Sequence, residues 1–156
     1  MLFQTESELD DFARRFVQCS LAKEEWTHSA HLAVGLWHVE RYGSEEARLR
    51  LRTGIRRLNE SHDTINSATS GYHETITRVY VRLLAAFSKR YMGIPLAERL
   101  ACPLDGALAD RTILLAFYSS SRLMSAEARL GWVRPDVAPI ALEAVLDDLE
   151  AVPYPG

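Results

Sequence analysis

Hydrophobic positions recur along this chain at intervals of three and four residues, the spacing typical of amphipathic helices. A stripe near the N-terminus predicts a helix over about residues 7–20, and its members are Leu9, Phe12, Ala13, Phe16 and Val17. Further helices are predicted at about residues 27–42, 44–58, 71–91, 106–119, 125–131 and 139–149. No segment alternates with a period of two. The pattern therefore indicates an all-α fold, a single-domain bundle of five to seven helices over residues 1–156.

Residues with strong capping preferences mark several of these helix ends. Thr27 is a good N-cap for the second helix, and Gly43 is its natural C-terminal stop. Ser44 is expected to cap the third helix, and Thr69 or Ser70 the fourth. The second and third helices are joined by a Gly-Ser pair alone, so they should be antiparallel neighbours.

Four of the five histidines lie at helix ends that this arrangement brings together. His28 and His31 open the second helix, and His62 closes the third. His73 opens the fourth helix, with Glu74 beside it. Because the second and third helices are antiparallel and the fourth starts soon after the third ends, these side chains should gather at one end of the bundle.

Two chemistries are open to such a cluster, metal binding and acid–base catalysis. His28 and His31, at positions i and i+3 of one helix, can reach a single metal ion, and His73 with His62 or Glu74 could complete a shell for zinc, iron or manganese. Without a metal, the helix dipole favours neutral imidazoles in a first turn, as a general base requires. His73, Glu74 and His28 are then the candidate catalytic residues.

Other residues expected at the histidine end are candidate ligand contacts. The predicted fifth helix should bring Tyr118 and Arg122 back to this end, with Arg129 nearby. Arg122 and Arg129 are candidate binders of a carboxylate or phosphate. Thr77 lies one turn after His73, on the edge of the apolar face of the fourth helix. These four residues are the predicted substrate-binding set.

Three features leave alternatives open. Inward-facing histidines can serve only to satisfy backbone carbonyls, without any chemistry. Gly35 lies one turn from His31 on the histidine face, and its missing side chain can leave room for a ligand or permit close helix packing. An arginine run on the third helix indicates a solvated face paired with nearby glutamates, or a basic rim for an anionic substrate. This run consists of Arg48, Arg50, Arg52, Arg56 and Arg57.

Two segments, WTHSAHL at residues 26–32 and GYHETIT at residues 71–77, resemble a known family. Its members are small, uncharacterised bacterial helical proteins with a His-x-x-His-Leu helix start and a Tyr-His-Glu-Thr-(Ile/Leu)-Thr segment. The resemblance covers most of the chain. It implies an all-helical protein and draws attention to the histidines of both segments and to Glu74, without implying an activity.

A second resemblance is to the HD-domain phosphohydrolases, which bind metal through a helix-borne histidine, a later His-Asp pair and a distant aspartate. The residues in the matching order are His28 or His31, then His62-Asp63, then Asp105 or Asp110. This resemblance implies a metal-dependent phosphohydrolase as one alternative function.

Composition narrows the classes of function and partner. The net charge of −3 and the pI near 6.0 argue against a nucleic-acid-binding surface. Neither a signal peptide nor an apolar run of the ~18 residues needed to span a membrane is visible, so we expect a cytoplasmic protein. The chain is predicted to be a small-molecule enzyme or, alternatively, a non-catalytic ligand-binding or dimerising module, with a homodimer as a further expectation.

Overall fold

The computed structural model describes residues 3–96, 98–99, 108, 110 and 112–150. Its α-helices are α1 (Glu6–Val17), α2 (His28–Tyr42), α3 (Ser44–Ser61), α4 (Glu74–Arg90), α5 (Ser120–Leu123), α6 (Ala126–Leu130) and α7 (Leu142–Glu150). Short 3-10 helices occur at Lys23–Glu25 and Ile113–Ala116. Within these ranges the predicted all-α fold of five to seven helices is confirmed. None of the described helices is long and apolar enough to cross a membrane.

Helix α2 is central, and α1, α3 and α4 all pack against it. This position explains why α2 is apolar on two sides, since almost every residue from Ala30 to Val39 is buried. Two glycines allow neighbouring elements to approach closely. A Cβ atom on Gly35 would lie 2.7 Å from the side chain of Leu84 on α4, so close helix packing accounts for this glycine. A Cβ atom on Gly54 would lie 2.5 Å from the ring of Phe16 on α1.

Helix α4 begins at Glu74, three residues later than predicted. Its N-cap is His73 rather than Thr69 or Ser70, and the His73 Nδ1 atom accepts a hydrogen bond from the Ile76 N–H at 3.1 Å. An imidazole nitrogen thus takes the place of the side-chain oxygen that usually caps a helix.

The loop before α4 explains this later start. Gly71 has a φ of 76°, and a Cβ atom there would lie 2.6 Å from the Asn66 side-chain oxygen and from the Ile65 carbonyl oxygen. The same Asn66 oxygen accepts a hydrogen bond from the Tyr72 N–H at 3.0 Å. This loop holds Gly71 and Tyr72 outside the helical conformation, so the helix starts after them.

Two other predicted helix boundaries are corrected. Gly43 is the N-cap of α3, and Ser44 is its first residue and makes no capping hydrogen bond. In place of the long helix predicted at residues 106–119, the described part of this segment holds the 3-10 helix Ile113–Ala116 and no α-helical residue. The Phe117 carbonyl accepts a hydrogen bond from the Val137 N–H at 2.9 Å, so it does not continue a helix.

Candidate functional site

A cavity of about 680 Å³ lies where α2, α3, α4 and α6 meet. His28, His31, His73, Thr77 and Arg129 all line it, so the fold brings together five of the nine predicted site residues. The rest of the wall is mixed: its polar residues include Thr27 and Asn59, and its aromatic and aliphatic residues include Trp26, Ile55, Ile76, Tyr80, Leu114 and Leu123. We call this space the histidine cavity.

Backbone groups occupy both ring nitrogens of His73. Its Nε2 atom donates to the Leu123 carbonyl at 2.7 Å, and its Nδ1 atom accepts from the Ile76 N–H. Burial lowers the pKa of His73, and the nearby charge of Arg129 lowers it further, despite the hydrogen bond to Leu123. The ring is therefore a neutral cap. It can neither bind a metal ion nor accept a proton from a ligand unless the cap is broken.

His28 and His31 each use one ring nitrogen on a backbone carbonyl. The His28 Nε2 atom lies 3.0 Å from the Leu108 oxygen, and the His31 Nδ1 atom lies 2.7 Å from the Thr27 oxygen. Because a carbonyl only accepts, these two nitrogens carry the hydrogen in the neutral rings. The other nitrogen of each neutral ring is then an acceptor.

Two aromatic residues, Trp26 and Tyr80, form a wall of the cavity. The Trp26 ring lies 3.8 Å from the His31 ring, and its centroid lies 5.0 Å from that of Phe16, which stacks on it. Tyr80 meets the His28 ring edge-on at 5.4 Å. The Trp26 indole N–H is buried and has no hydrogen-bond partner among the described residues, so it is a donor that a ligand could satisfy. Its position before α2, in the WTHSAHL segment, is the only sequence signal for this role.

Glu74 does not line the histidine cavity. Its carboxylate lies in an adjoining pocket of about 170 Å³, which we call the arginine pocket and which is also lined by Arg52, Arg56, Tyr72 and Arg129. The Arg52 guanidinium binds both carboxylate oxygens of Glu74, at 2.6 and 3.1 Å. The Tyr72 hydroxyl donates to the same carboxylate at 2.9 Å, and Arg48 approaches it at 3.4 Å.

This environment keeps Glu74 ionised. Burial by itself would raise the pKa of the carboxyl group, but the hydrogen bonds from Arg52 and Tyr72 outweigh burial and lower it. Burial, together with the charge of Glu74, raises the pKa of Tyr72 to about 12, so the Tyr72 hydroxyl stays protonated and donates. An ionised and fully paired carboxylate is unsuited to act as a general acid near neutral pH.

Three predicted site residues, His62, Tyr118 and Arg122, lie outside the histidine cavity. Each donates to a backbone carbonyl, those of Leu21, Val133 and Arg134 respectively, at 2.7, 2.8 and 2.6 Å. These bonds connect distant loops. Tyr118 and Arg122 were expected at the cavity because a long fifth helix was expected, and the described residues of that segment do not form one.

The residues expected to hold a metal do not fit one. No group of three or more His, Cys, Asp or Glu side chains within the described ranges is placed to hold a metal ion. Both ring nitrogens of His73 form hydrogen bonds to backbone groups. His62 bonds to the Leu21 carbonyl outside the histidine cavity, and Glu74 forms an ion pair with Arg52. We therefore derive no chemistry through zinc, iron or manganese.

The residue order of the HD-domain phosphohydrolases is likewise not assembled in the part of the chain that is described. His62 lies outside the cavity lined by His28 and His31. Asp63 and Asp110 are exposed, and Asp105 falls outside the described residues.

The arginine run of α3 divides between two roles. Arg50 pairs with Glu46 of the preceding turn at 3.0 Å, as expected for a solvated face. Arg48 pairs with exposed Glu45 at 2.7 Å, but its own side chain is mostly buried and also approaches Glu74. Arg52 instead turns to Glu74 on α4. The sequence carries no signal for this second pair, because its members lie 22 residues apart on different helices.

The chain matches no protein-family model, and no match to it was found among curated proteins or solved structures. The function must therefore be argued from the cavity. The homodimer and the cytoplasmic location stay predictions.

Proposed function

We propose that the histidine cavity binds a small organic molecule with an apolar, aromatic body and at least one hydrogen-bonding group. The observation that carries this proposal is one cavity of about 680 Å³ in which aromatic and aliphatic side chains alternate with polar ones. Ligand sites in proteins typically have roughly 300–1,000 Å³ of space and a small number of placed polar groups.

The lining residues suggest how such a ligand would be held. An aromatic body packs between the rings of Trp26 and Tyr80, where stacked and edge-on contacts are both favourable. The Trp26 N–H donates to the ligand, and the acceptor nitrogen of His28 receives a hydrogen bond from a ligand hydroxyl. Arg129 places a positive charge at the border with the arginine pocket.

His28 is the acid–base group that this cavity offers. Its ring is oriented by the bond from Nε2 to the Leu108 carbonyl, so its Nδ1 atom is the proton acceptor of the neutral ring. We therefore propose His28, rather than His73 and Glu74, as the residue for any proton transfer. A non-catalytic binding protein would use the same cavity without moving a proton.

Ligand-observed NMR with phenol tests the binding proposal. Phenol carries an aromatic body and one hydroxyl, so we expect saturable binding with a Kd of about 1 mM or tighter. His31→Gln removes the aromatic ring that packs on Trp26, and it should weaken phenol binding by roughly fivefold.

His62→Gln is the matched control, because it removes a histidine that bonds to a backbone carbonyl outside the cavity. This variant should bind phenol like the wild type. The proposal fails if phenol does not bind, or if both variants lose binding to the same extent.

A further inference from the structure

The arginine pocket carries more positive charge than its single carboxylate neutralises. Three arginines, Arg52, Arg56 and Arg129, and one carboxylate, Glu74, line it, so the ionised lining has a net charge of +2. The whole chain, in contrast, has a net charge of −3. A concave, positively charged pocket in an acidic protein concentrates anions locally.

Two of these arginines are available to an anion. The third, Arg52, forms an ion pair with Glu74 and binds both carboxylate oxygens. Arg56 is exposed and makes no ion pair with any residue that the structure describes. Arg129 donates to the neutral Gly71 carbonyl at 2.7 Å, and its buried Nε–H has no hydrogen-bond partner among the described residues. The pocket thus holds two guanidinium groups whose charge no carboxylate among the described residues neutralises.

The uncharged residues in the wall of the arginine pocket are also compatible with a bound oxyanion. The Ser67 hydroxyl is a further potential donor in the wall. The Asn66 side chain is already fixed, since its amide donates to the Arg56 carbonyl and its oxygen accepts from the Tyr72 N–H, both at 3.0 Å. The volume of about 170 Å³ suits one carboxylate or phosphate group and excludes a large ligand body.

Tyr72 and Arg129 line both the arginine pocket and the histidine cavity, so the two spaces adjoin. We infer that the arginine pocket binds the oxyanion group, carboxylate or phosphate, of the same small molecule whose apolar body occupies the histidine cavity. Arg56 and Arg129 are its charged contacts. This inference rests on the proposed function and narrows the ligand to a small aromatic carboxylic acid or phosphate ester.

Titrations with inorganic phosphate, acetate and phenyl phosphate at low ionic strength test this inference. Phosphate or acetate should bind saturably, and the stronger of the two identifies the preferred oxyanion. Phenyl phosphate should bind roughly tenfold more tightly than phosphate, because its ring enters the histidine cavity. Arg56→Gln should weaken phosphate binding by roughly tenfold, the loss expected for one charge-assisted contact.

Arg57→Gln is the matched control, since Arg57 is the exposed neighbour of Arg56 and lines a different groove. It should leave phosphate binding within about twofold of wild type, because only general electrostatics changes. Arg129→Lys keeps the charge but loses the planar, bidentate guanidinium, so it should weaken phosphate binding while the thermal unfolding midpoint reports on the contact with Gly71.

The inference is overturned if neither phosphate nor acetate binds, if Arg56→Gln and Arg57→Gln act equally, or if phenyl phosphate binds no more tightly than phosphate. The phenol titration separates this failure from that of the proposed function. Phenol binding without anion binding contradicts the inference alone. Anion binding without phenol binding contradicts the proposed function and the claim that both spaces hold one ligand.

Discussion

At the scale of single residues, His73 and Glu74 are sequence neighbours that serve different spaces. His73 caps α4 and lines the histidine cavity, whereas Glu74 turns to Arg52 in the arginine pocket. Successive residues of an α-helix point about 100° apart, so neighbours at a helix start naturally face different elements. The imidazole and the carboxylate are therefore separated, although the sequence places them side by side.

Replacing Glu74 with glutamine should lower the free energy of unfolding by about 2–3 kcal/mol at pH 7, because Arg52 would lose its counter-ion in a partly buried site. The pKa of Glu74 in the folded protein lies below its usual 4.5, so the carboxylate stabilises the fold fully above that pH. This contribution is lost as the pH falls through the lower, folded-state pKa. Urea unfolding of wild type and variant between pH 7 and pH 2 measures it.

Glu45→Gln is the comparison for this effect, since Glu45 pairs with Arg48 but is largely exposed. An exposed pair contributes little, so this variant should lose less than about 1 kcal/mol. A Glu74→Gln deficit that does not shrink toward acid pH would show that the ionised carboxylate is not the stabilising form.

At the scale of helices, the glycines of α2 and α3 differ in what faces them. Gly35 faces the end of the flexible Leu84 side chain, whereas Gly54 faces the ring of Phe16. That ring stacks on Trp26 at 5.0 Å and meets the edge of His38 at 5.5 Å, so it has little freedom to move. The contact between α1 and α3 is therefore less tolerant of added volume than the contact between α2 and α4.

Alanine substitutions at the two glycines should reveal this difference. Each gains about 1 kcal/mol of helix propensity. For Gly35→Ala this gain should offset the small adjustment of Leu84 and leave stability nearly unchanged. Gly54→Ala should destabilise the protein by about 1–2 kcal/mol in spite of the gain, because overpacking against a fixed ring costs more. Equal unfolding free energies for the two variants, measured by urea denaturation, would contradict this account.

At the scale of the whole molecule, periodicity predicts the helices of the N-terminal two thirds of the chain, whereas several caps and the long-range contacts are not predicted. Thr27 and Gly43 mark both ends of α2 as the structure has them. The carbonyl partners of His28 and His73 belong to Leu108 and Leu123, which lie 80 and 50 residues away, and no local pattern specifies such distant contacts. The sequence therefore indicates which end of the bundle holds the histidines, but not which imidazole nitrogens already form hydrogen bonds to the backbone.

Buried histidines should make the stability of the whole protein sensitive to mild acid. Burial lowers the pKa values of His38 and His73 in the folded protein below the ordinary 6.5. Below about pH 6.5 the unfolded chain then binds protons that the folded chain does not, so stability falls as the pH falls, by at most about 1.4 kcal/mol per pH unit for each histidine.

Unfolding midpoints between pH 8 and pH 5 measure this sensitivity. His73→Asn retains a side chain able to cap α4 but removes one titrating group, so its stability should decline less steeply than that of the wild type. The same decline in both proteins would mean that His73 does not contribute to the pH dependence.

The position of Arg129 in a wall common to both spaces has a thermodynamic consequence. A fragment that orders this side chain from one side changes the affinity for a fragment on the other side. Linkage requires the two effects to be reciprocal, so phenol must alter the dissociation constant of phosphate by the same factor by which phosphate alters that of phenol. Through Arg129, ligand binding in the histidine cavity and ligand binding in the arginine pocket would thus be cooperative.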